Sequence, residues 1–134
     1  MTDLRYEITI RASVDVVYRH LTEREGLLRW IGVEASAQPE PGGELTWTHE
    51  NGATMIGRFI ELEPPSRVVF AYGWKDDLMG VPPESTTVEI HLHEEATHTL
   101  LRLTHRGLSD DNANDHETGW DYFLTKLDKH LSLP

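Results

Sequence analysis

The 134-residue sequence contains no cysteine. This absence excludes disulfide bonds, thiolate nucleophiles and cysteine-based zinc sites. The chain is also poor in basic residues, with 12 lysines and arginines against 23 aspartates and glutamates, which gives a formal net charge of −11. Such a balance repels phosphate backbones and anionic lipid surfaces. Because no run of lysine and arginine offsets it, we expect no nucleic-acid partner.

Long hydrophobic runs are missing too. No window approaches the roughly 18 apolar residues of a membrane span, and the first residues lack the apolar stretch of a secretory signal. We therefore expect no membrane insertion and a cytoplasmic location. The length indicates a single domain over residues 1–134, and an apolar content of 38% is ordinary for a folded chain.

The first third of the chain reads as a strand followed by two short helices. Residues 6–10 alternate around two isoleucines, which is typical of a strand. Ser13 is placed to cap a helix, because the apolar residues after it share one helical face: Val14, Val17, Tyr18 and Leu21. Thr22 is placed to cap a second, short helix that runs to Trp30.

From Val33 onward, short runs rich in threonine, valine, isoleucine and aromatics are separated by turn sequences, which predicts an antiparallel meander. A four-residue loop around Pro64 predicts pairing of Leu62 with Arg67 and of Phe59 with Phe70. The sequence does not determine the register of the hairpin at Asn51-Gly52. A two-residue turn places Trp47 and Met55 on opposite faces, whereas a three-residue loop places them together.

The next hairpin is predicted from its loop and from its charges. If Glu94–Thr97 forms the loop, inward apolar residues pair across the strands: Leu92 with Thr99, Ile90 with Leu101, and Val88 with Leu103. The same register places Glu89 opposite Arg102, His93 opposite His98, and His105 opposite Thr86.

The chain ends in its longest predicted helix. The acidic segment Asp110–Asp115 is suited to precede a helix, and apolar residues continue at helical spacing to about Leu131. A glycine at position 119 suggests a close approach to the sheet. The pattern predicts an α+β fold, a curved antiparallel sheet of about six to seven strands with helices on one face.

Several sequence features, in this order, resemble the activator of heat-shock protein 90 ATPase homologue-like family. They are the Pro41-Gly42-Gly43 turn, Gly57 before Glu61–Pro65, Trp74, Ser85–Ile90, Leu101–Leu108 and His116–Trp120. That family belongs to the START-like, helix-grip superfamily, which includes polyketide cyclases and the birch-pollen allergen fold. The resemblance covers nearly the whole chain.

The resemblance implies a hydrophobic cavity between the sheet and the long C-terminal helix that binds small apolar or amphipathic molecules. Pattern alone leaves a solid aromatic core as the alternative. We expect the following residues to face the interior and form the ligand-binding wall: Phe59, Phe70, Tyr72, Trp74, Val88, Ile90, Leu101, Leu103, His105, His116, Trp120, Phe123 and Leu124.

Polar groups within this set decide between binding and catalysis. His105 and His116 have the chemistry for acid–base work if free, but a hydrogen bond to backbone or a carboxylate would make each structural. Tyr72 is a further candidate, as is Glu61 if it does not point to solvent. Hydrolase and phosphate-loop motifs are absent from the sequence. We predict no cofactor and no metal, because His91, His93 and His98 read as solvated strand positions.

Three functions follow as hypotheses. The first is non-enzymatic binding of a small apolar or amphipathic ligand. The second is a cyclase- or hydratase-like enzyme that uses the cavity histidines. The third is a co-chaperone-type domain whose acidic surface meets a chaperone partner, after the protein from which the family takes its name. The sequence does not indicate the oligomeric state.

Overall fold

Strands and helices follow one another along the chain in the predicted order. A computed structural model of the protein describes residues 2–132. Its elements are β1 (Thr2–Ile10), α1 (Val14–Thr22), α2 (Arg24–Leu27), β2 (Glu34–Ala37), β3 (Glu44–Thr48), β4 (Thr54–Glu63), β5 (Arg67–Tyr72), β6 (Thr86–Glu95), β7 (His98–Leu108) and α3 (Asp110–Leu131). A turn-rich segment, Lys75–Gly80, lies between β5 and β6.

All strands join one antiparallel sheet in the order β1-β7-β6-β5-β4-β3-β2. The sheet curves around the long helix α3, and α1 and α2 follow β1 as short helices. This is the helix-grip arrangement, and it confirms the predicted α+β fold. Within residues 2–132, no helix combines the length and apolar character required to cross a bilayer.

The helix starts are partly as predicted. Ser13 caps α1 by accepting a hydrogen bond from the backbone N–H of Val16. Thr22 does not cap α2. It is the last residue of α1, and its hydroxyl donates to the carbonyl of Tyr18 in the same helix at 2.9 Å. Helix α3 begins at Asp110 with Ser109 as its cap. The acidic segment expected to precede α3 instead forms its first turns, where carboxylates meet the positive end of the helix dipole.

The β4–β5 hairpin contains a bulge. Phe59 pairs with Phe70 as predicted, but the register shifts between Phe59 and Glu61. Beyond the bulge Leu62 pairs with Val68, so the predicted pairing of Leu62 with Arg67 is wrong. One extra residue in β4, the half-exposed Ile60, sets two positions against one on the partner strand.

The β6–β7 register was predicted wrongly by two residues. Strand β6 extends through Glu95, so the turn has two residues rather than four, and Leu92 pairs with Leu101. Ile90 therefore pairs with Leu103 and Val88 with His105. A shift of two positions leaves every side chain on its predicted face, because side chains alternate along a strand with period two.

The predicted cross-strand pairs of this hairpin change with the register. Glu89 accepts a hydrogen bond from Arg106 at 2.9 Å, whereas Arg102 binds Glu7 at 2.8 Å. His93 pairs with Leu100, not with His98. His105 does not pair with Thr86 across the strands, although the two side chains are hydrogen-bonded.

The β3–β4 hairpin, whose register the sequence does not determine, places Trp47 and Met55 on the same face of the sheet. They are direct partners in the β3–β4 register, and both are buried. Trp47 is thereby on the inner face of the sheet, toward α3. One contiguous core joins this face to the buried side of α3, which contributes Trp120, Leu124 and Leu127.

Candidate functional site

A cavity of about 160 Å³, here called the inner chamber, lies between one end of the sheet and the first half of α3. Seven of its eleven lining residues carry aromatic rings. The sheet, the β3–β4 connection, the segment after α2 and the β5–β6 connection supply Ile31, Trp47, His49, Tyr72, Trp74 and Met79. Helix α3 supplies Asp115, His116, Gly119, Trp120 and Phe123.

Five of the thirteen residues expected to form the wall lie on the inner chamber: Tyr72, Trp74, His116, Trp120 and Phe123. The other eight are buried in the core and do not line it: Phe59, Phe70, Val88, Ile90, Leu101, Leu103, His105 and Leu124. Glu61 lies on the exposed side of β4, where it binds Arg67. The alternation pattern identified the inner face of the sheet but not the part of that face where packing stops.

Sequence reasoning missed six lining residues: Ile31, Trp47, His49, Met79, Asp115 and Gly119. Trp47 was tied to the unresolved hairpin register. His49 follows β3 directly and Met79 lies in an irregular segment, so no periodic pattern marks either one. The signal that could have found the α3 residues is helical spacing, because Asp115, Gly119 and Phe123 are four residues apart.

Gly119 leaves the inner chamber unfilled on the α3 side. A Cβ atom added at this position would meet no heavy atom within 4 Å. The expectation that Gly119 lets α3 approach the sheet is therefore wrong. The missing side chain faces open space, and the glycine contributes volume to the chamber.

Three tryptophan–histidine pairs surround the inner chamber. The indole Nε1–H of Trp47 donates to His49 Nε2 at 3.1 Å, and that of Trp74 donates to His116 Nε2 at 3.0 Å. The third pair joins Trp120 Nε1 to His105 Nδ1 at 3.0 Å. Because an indole nitrogen only donates, each accepting imidazole nitrogen is unprotonated and each histidine is neutral.

The second ring nitrogen of two of these histidines is also engaged. His116 Nδ1 donates to the carbonyl of Asn112 at 2.8 Å. His105 Nε2 donates to Thr86 Oγ1 at 2.8 Å, and the Thr86 hydroxyl donates to the carbonyl of Tyr72 at 2.8 Å. Neither His105 nor His116 thus offers a free nitrogen to a bound molecule.

Burial keeps these imidazoles neutral. Removal from water, with the neighbouring His116 as a smaller cause, lowers the pKa of His105 to about 3. Burial also lowers the pKa of His116. A group of this kind stays unprotonated at neutral pH, and its role here is to accept an indole hydrogen bond.

Tyr72 lies at the centre of the aromatic cluster. Its ring centroid is 4.5 Å from that of His105 and 5.6 Å from that of Trp74. Burial raises the pKa of Tyr72, so the hydroxyl keeps its proton. This hydroxyl forms no hydrogen bond with another residue of the described chain, and Tyr72 lines the inner chamber.

A second cavity of about 320 Å³, here called the outer chamber, adjoins the first. The two share Ile31, His49 and Phe123. The wall of the outer chamber is more polar and is completed by Leu28, Trp30, Gly32, Val33, Glu50, Asn51, Tyr122 and Lys126. An apolar cavity thus lies beside one that has charged residues on its wall.

The segment after β5 borders the inner chamber with strained backbone. Asp76, Asp77 and Met79 have φ values of 60°, 53° and 57°, in the left-handed region that costs a non-glycine residue about 1–2 kcal/mol. Aspartate tolerates this region better than methionine does. The segment returns to the core at the buried Val81, whose carbonyl accepts from the N–H of Trp74 at 2.8 Å.

The sequence model of the protein family "Activator of Hsp90 ATPase homolog 1-like protein" matches residues 11–132. The chain belongs to this family. The match spans α1 to the end of α3, and so includes every residue of the two chambers. It confirms the family and superfamily that the sequence motifs indicate. None of the curated proteins compared with the chain matches it.

Solved structures share the family's fold. The Aha1 dimer from Colwellia psychrerythraea is 24% identical, with a TM-score of 0.82 over 99% of this chain and 98% of that one. MLL2253 from Mesorhizobium loti is 19% identical, with a TM-score of 0.84 over 97% and 96%. CalU16 from Micromonospora echinospora is 26% identical, with a TM-score of 0.76 over 97% and 76%.

Proposed function

We propose that this family member binds a small apolar or amphipathic molecule in the inner chamber. The observation that carries the proposal is a void of about 160 Å³ walled mainly by aromatic rings. An engineered apolar cavity of about 150 Å³ stays dry and binds benzene. The inner chamber is therefore large enough for one six-membered ring with small substituents.

The cost of leaving an apolar wall unpacked supports this proposal. The inner chamber is partly open to solvent, and its aromatic wall lacks the packing partners that a close-packed interior provides. Gly119 adds to that cost, since glycine inside a helix is about 1 kcal/mol less favourable than alanine. A side chain at position 119 would fill part of the void, so the cavity persists although a simple substitution would reduce it.

The hydrogen bonds that the histidines already form favour binding over catalysis. Both ring nitrogens of His105 and of His116 are already hydrogen-bonded, and the pKa of each is lowered by burial. The Tyr72 hydroxyl holds its proton and can act as a hydrogen-bond donor. A cyclase- or hydratase-like reaction that used these histidines would require a free imidazole nitrogen, which neither histidine provides.

Binding can be tested by calorimetric titration of toluene into the protein and into two variants. Gly119→Leu places a side chain inside the inner chamber. Thr118→Leu adds the same side chain on the exposed side of α3. We expect saturable binding to the wild type and to the Thr118 variant, and loss of binding in the Gly119 variant. Absence of binding in all three proteins, or equal binding in all three, would contradict the proposal.

The family match favours a chaperone partner as a second candidate. The matching model takes its name from an activator of Hsp90 ATPase, and its match covers the whole described fold from α1 onward. A pull-down with the chaperone's middle domain, followed by an ATPase assay, tests this candidate. Association together with a rise in ATPase rate would support it, and no effect in either assay would dismiss it.

A further inference from the structure

His49, at the junction of the two chambers, has one hydrogen-bond donor without an acceptor in the described chain. His49 accepts the indole N–H of Trp47 on Nε2, so neutral His49 carries its proton on Nδ1. No residue of the described chain accepts a hydrogen bond from this Nδ1–H. His49 lines both chambers, and its ring is held 4.9 Å from that of Phe123 and 5.5 Å from that of Trp74.

A cation lies in the outer chamber near the same histidine. Lys126 lines the outer chamber, and within residues 2–132 it forms no ion pair. Burial lowers the pKa of His49, and the positive charge of Lys126 lowers it further. The field of Lys126 therefore reaches the imidazole, and at neutral pH the two residues present one cation and one N–H donor.

Two carboxylates oppose this positive character. Glu50 lines the outer chamber, and Asp115 lines the inner chamber near His116. Both are exposed, as is Lys126, so water screens all three charges, and the carboxylates oppose the lysine without affecting the neutral N–H donor of His49. Asn51 adds no charge, and its side-chain oxygen accepts from the N–H of Ala53 at 2.9 Å.

We propose that the preferred ligand is an aromatic carboxylate or a carboxylate of similar size and apolarity. Its ring occupies the inner chamber, and its carboxylate lies in the outer chamber between the Nδ1–H of His49 and the ammonium group of Lys126. This inference rests on the proposed binding function and names the chemical class of its ligand. The Tyr72 hydroxyl supplies a second donor for a ring substituent inside the chamber.

Three matched probes test the proposal by calorimetry on the full chain at pH 7. They are 3-phenylpropanoate, its neutral analogue 3-phenylpropanamide, and the cation 3-phenylpropan-1-amine. We expect the carboxylate to bind about fivefold more tightly than the amide, which is the upper range for an exposed ion pair. The amine should bind most weakly. Added salt should reduce the preference for the carboxylate, because it screens Lys126.

Two lysine variants distinguish a local charge from net charge. Lys126→Met should abolish the preference for carboxylate over amide. Lys129→Met makes the same change in net charge, but Lys129 does not line the outer chamber and the preference should persist. Glu50→Gln should increase it. On addition of 3-phenylpropanoate, the Nδ1–H resonance of His49 should move downfield in NMR spectra.

The outcomes separate this inference from the binding function. If toluene binds but the carboxylate and the amide bind equally, the carboxylate inference is overturned and the binding function stands. Equal effects of the two lysine variants, or an unmoved His49 resonance, overturn it as well. If neither toluene nor any of the three probes binds, both proposals fail.

Discussion

The core on the inner face of the sheet has an aliphatic half and an aromatic half, and the inner chamber lies against the aromatic half. The aliphatic half consists of Val88, Ile90, Leu101, Leu103 and Leu124, all buried and none lining the chamber. The aromatic half consists of Trp47, Tyr72, Trp74, Trp120 and Phe123. Branched aliphatic side chains adapt to one another and fill space, whereas three of the aromatic rings are fixed by hydrogen bonds to histidines.

Hydrophobicity alone therefore does not decide whether a core is solid. Rings held by directional bonds cannot move inward to fill a gap without breaking those bonds, and an unpaired buried donor costs about 1–3 kcal/mol. The histidines thus maintain the chamber by positioning its walls. Four measurements test this difference between the two halves.

At neutral pH, the largest effect is expected in the aliphatic half. Leu101→Ala removes a fully buried side chain and should lower the free energy of unfolding by about 3 kcal/mol, within the range for such truncations. Urea denaturation measures the loss, with the exposed Val33→Ala as a control that should change stability by less than about 0.5 kcal/mol. Toluene affinity should stay unchanged. A weakened affinity in a folded Leu101 variant would show that the two halves are not independent.

The hydrogen-bond network of the aromatic half is tested at Thr86. Thr86→Val removes the hydroxyl that links His105 to the carbonyl of Tyr72, and leaving buried partners unsatisfied should cost about 2 kcal/mol. Ile90→Val serves as the control in the aliphatic half, with an expected cost of about 1 kcal/mol. Urea denaturation compares them, and a smaller loss for the threonine variant would contradict a structural role for the network.

Acid should destabilise the protein through its aromatic half. Because the pKa of His105 is lowered to about 3 from 6.5, only the unfolded state takes up this proton between those values. The contribution of His105 is complete above pH 6.5 and declines, by about 1.4 kcal/mol per pH unit, as the pH falls toward 3.

Urea denaturation at pH 7, 6 and 5 measures that slope. His105→Leu should be less stable than the wild type at pH 7, because the indole of Trp120 loses its acceptor. Its stability should nevertheless fall less steeply with acid. Parallel slopes for the two proteins would exclude His105 as the titrating group.

The smallest effect is expected for Gly119→Ala, which should raise stability and weaken binding. Gly119→Ala should raise the free energy of unfolding by about 1 kcal/mol, through the helix propensity of alanine, because the new methyl group meets no atom within 4 Å. The same methyl group narrows the inner chamber and should weaken toluene binding. Thermal unfolding and calorimetry together check both signs. A stabilised variant with unchanged affinity would place the ligand elsewhere.

Much of the fold could be predicted from the sequence, because it depends on periodic patterns. Ser13 caps α1, Phe59 pairs with Phe70, and α3 ends at Leu131. Errors arose where one residue changes a local geometry, as at the bulge near Ile60 and in the short turn after Glu95. The error at β6–β7 preserved the faces because it was a shift of two.

The candidate site was harder to predict than the fold. Alternation shows which side of a strand is buried, but it does not show where packing density falls. His49 and Met79 lie outside regular elements, so their approach to the chamber depends on the tertiary structure. The position of Gly119 was visible in the sequence, yet its consequence depends on the distance to surrounding atoms, which no spacing rule supplies.

The tryptophan–histidine pairs also have a spectroscopic consequence. Three of the four tryptophans of the chain line the inner chamber, and each donates its indole N–H to a neutral imidazole. Protonation of an accepting nitrogen removes that bond, and a bound molecule changes the polarity around the ring. The intrinsic fluorescence of the unlabelled protein should therefore report both occupancy of the chamber and titration of its histidines.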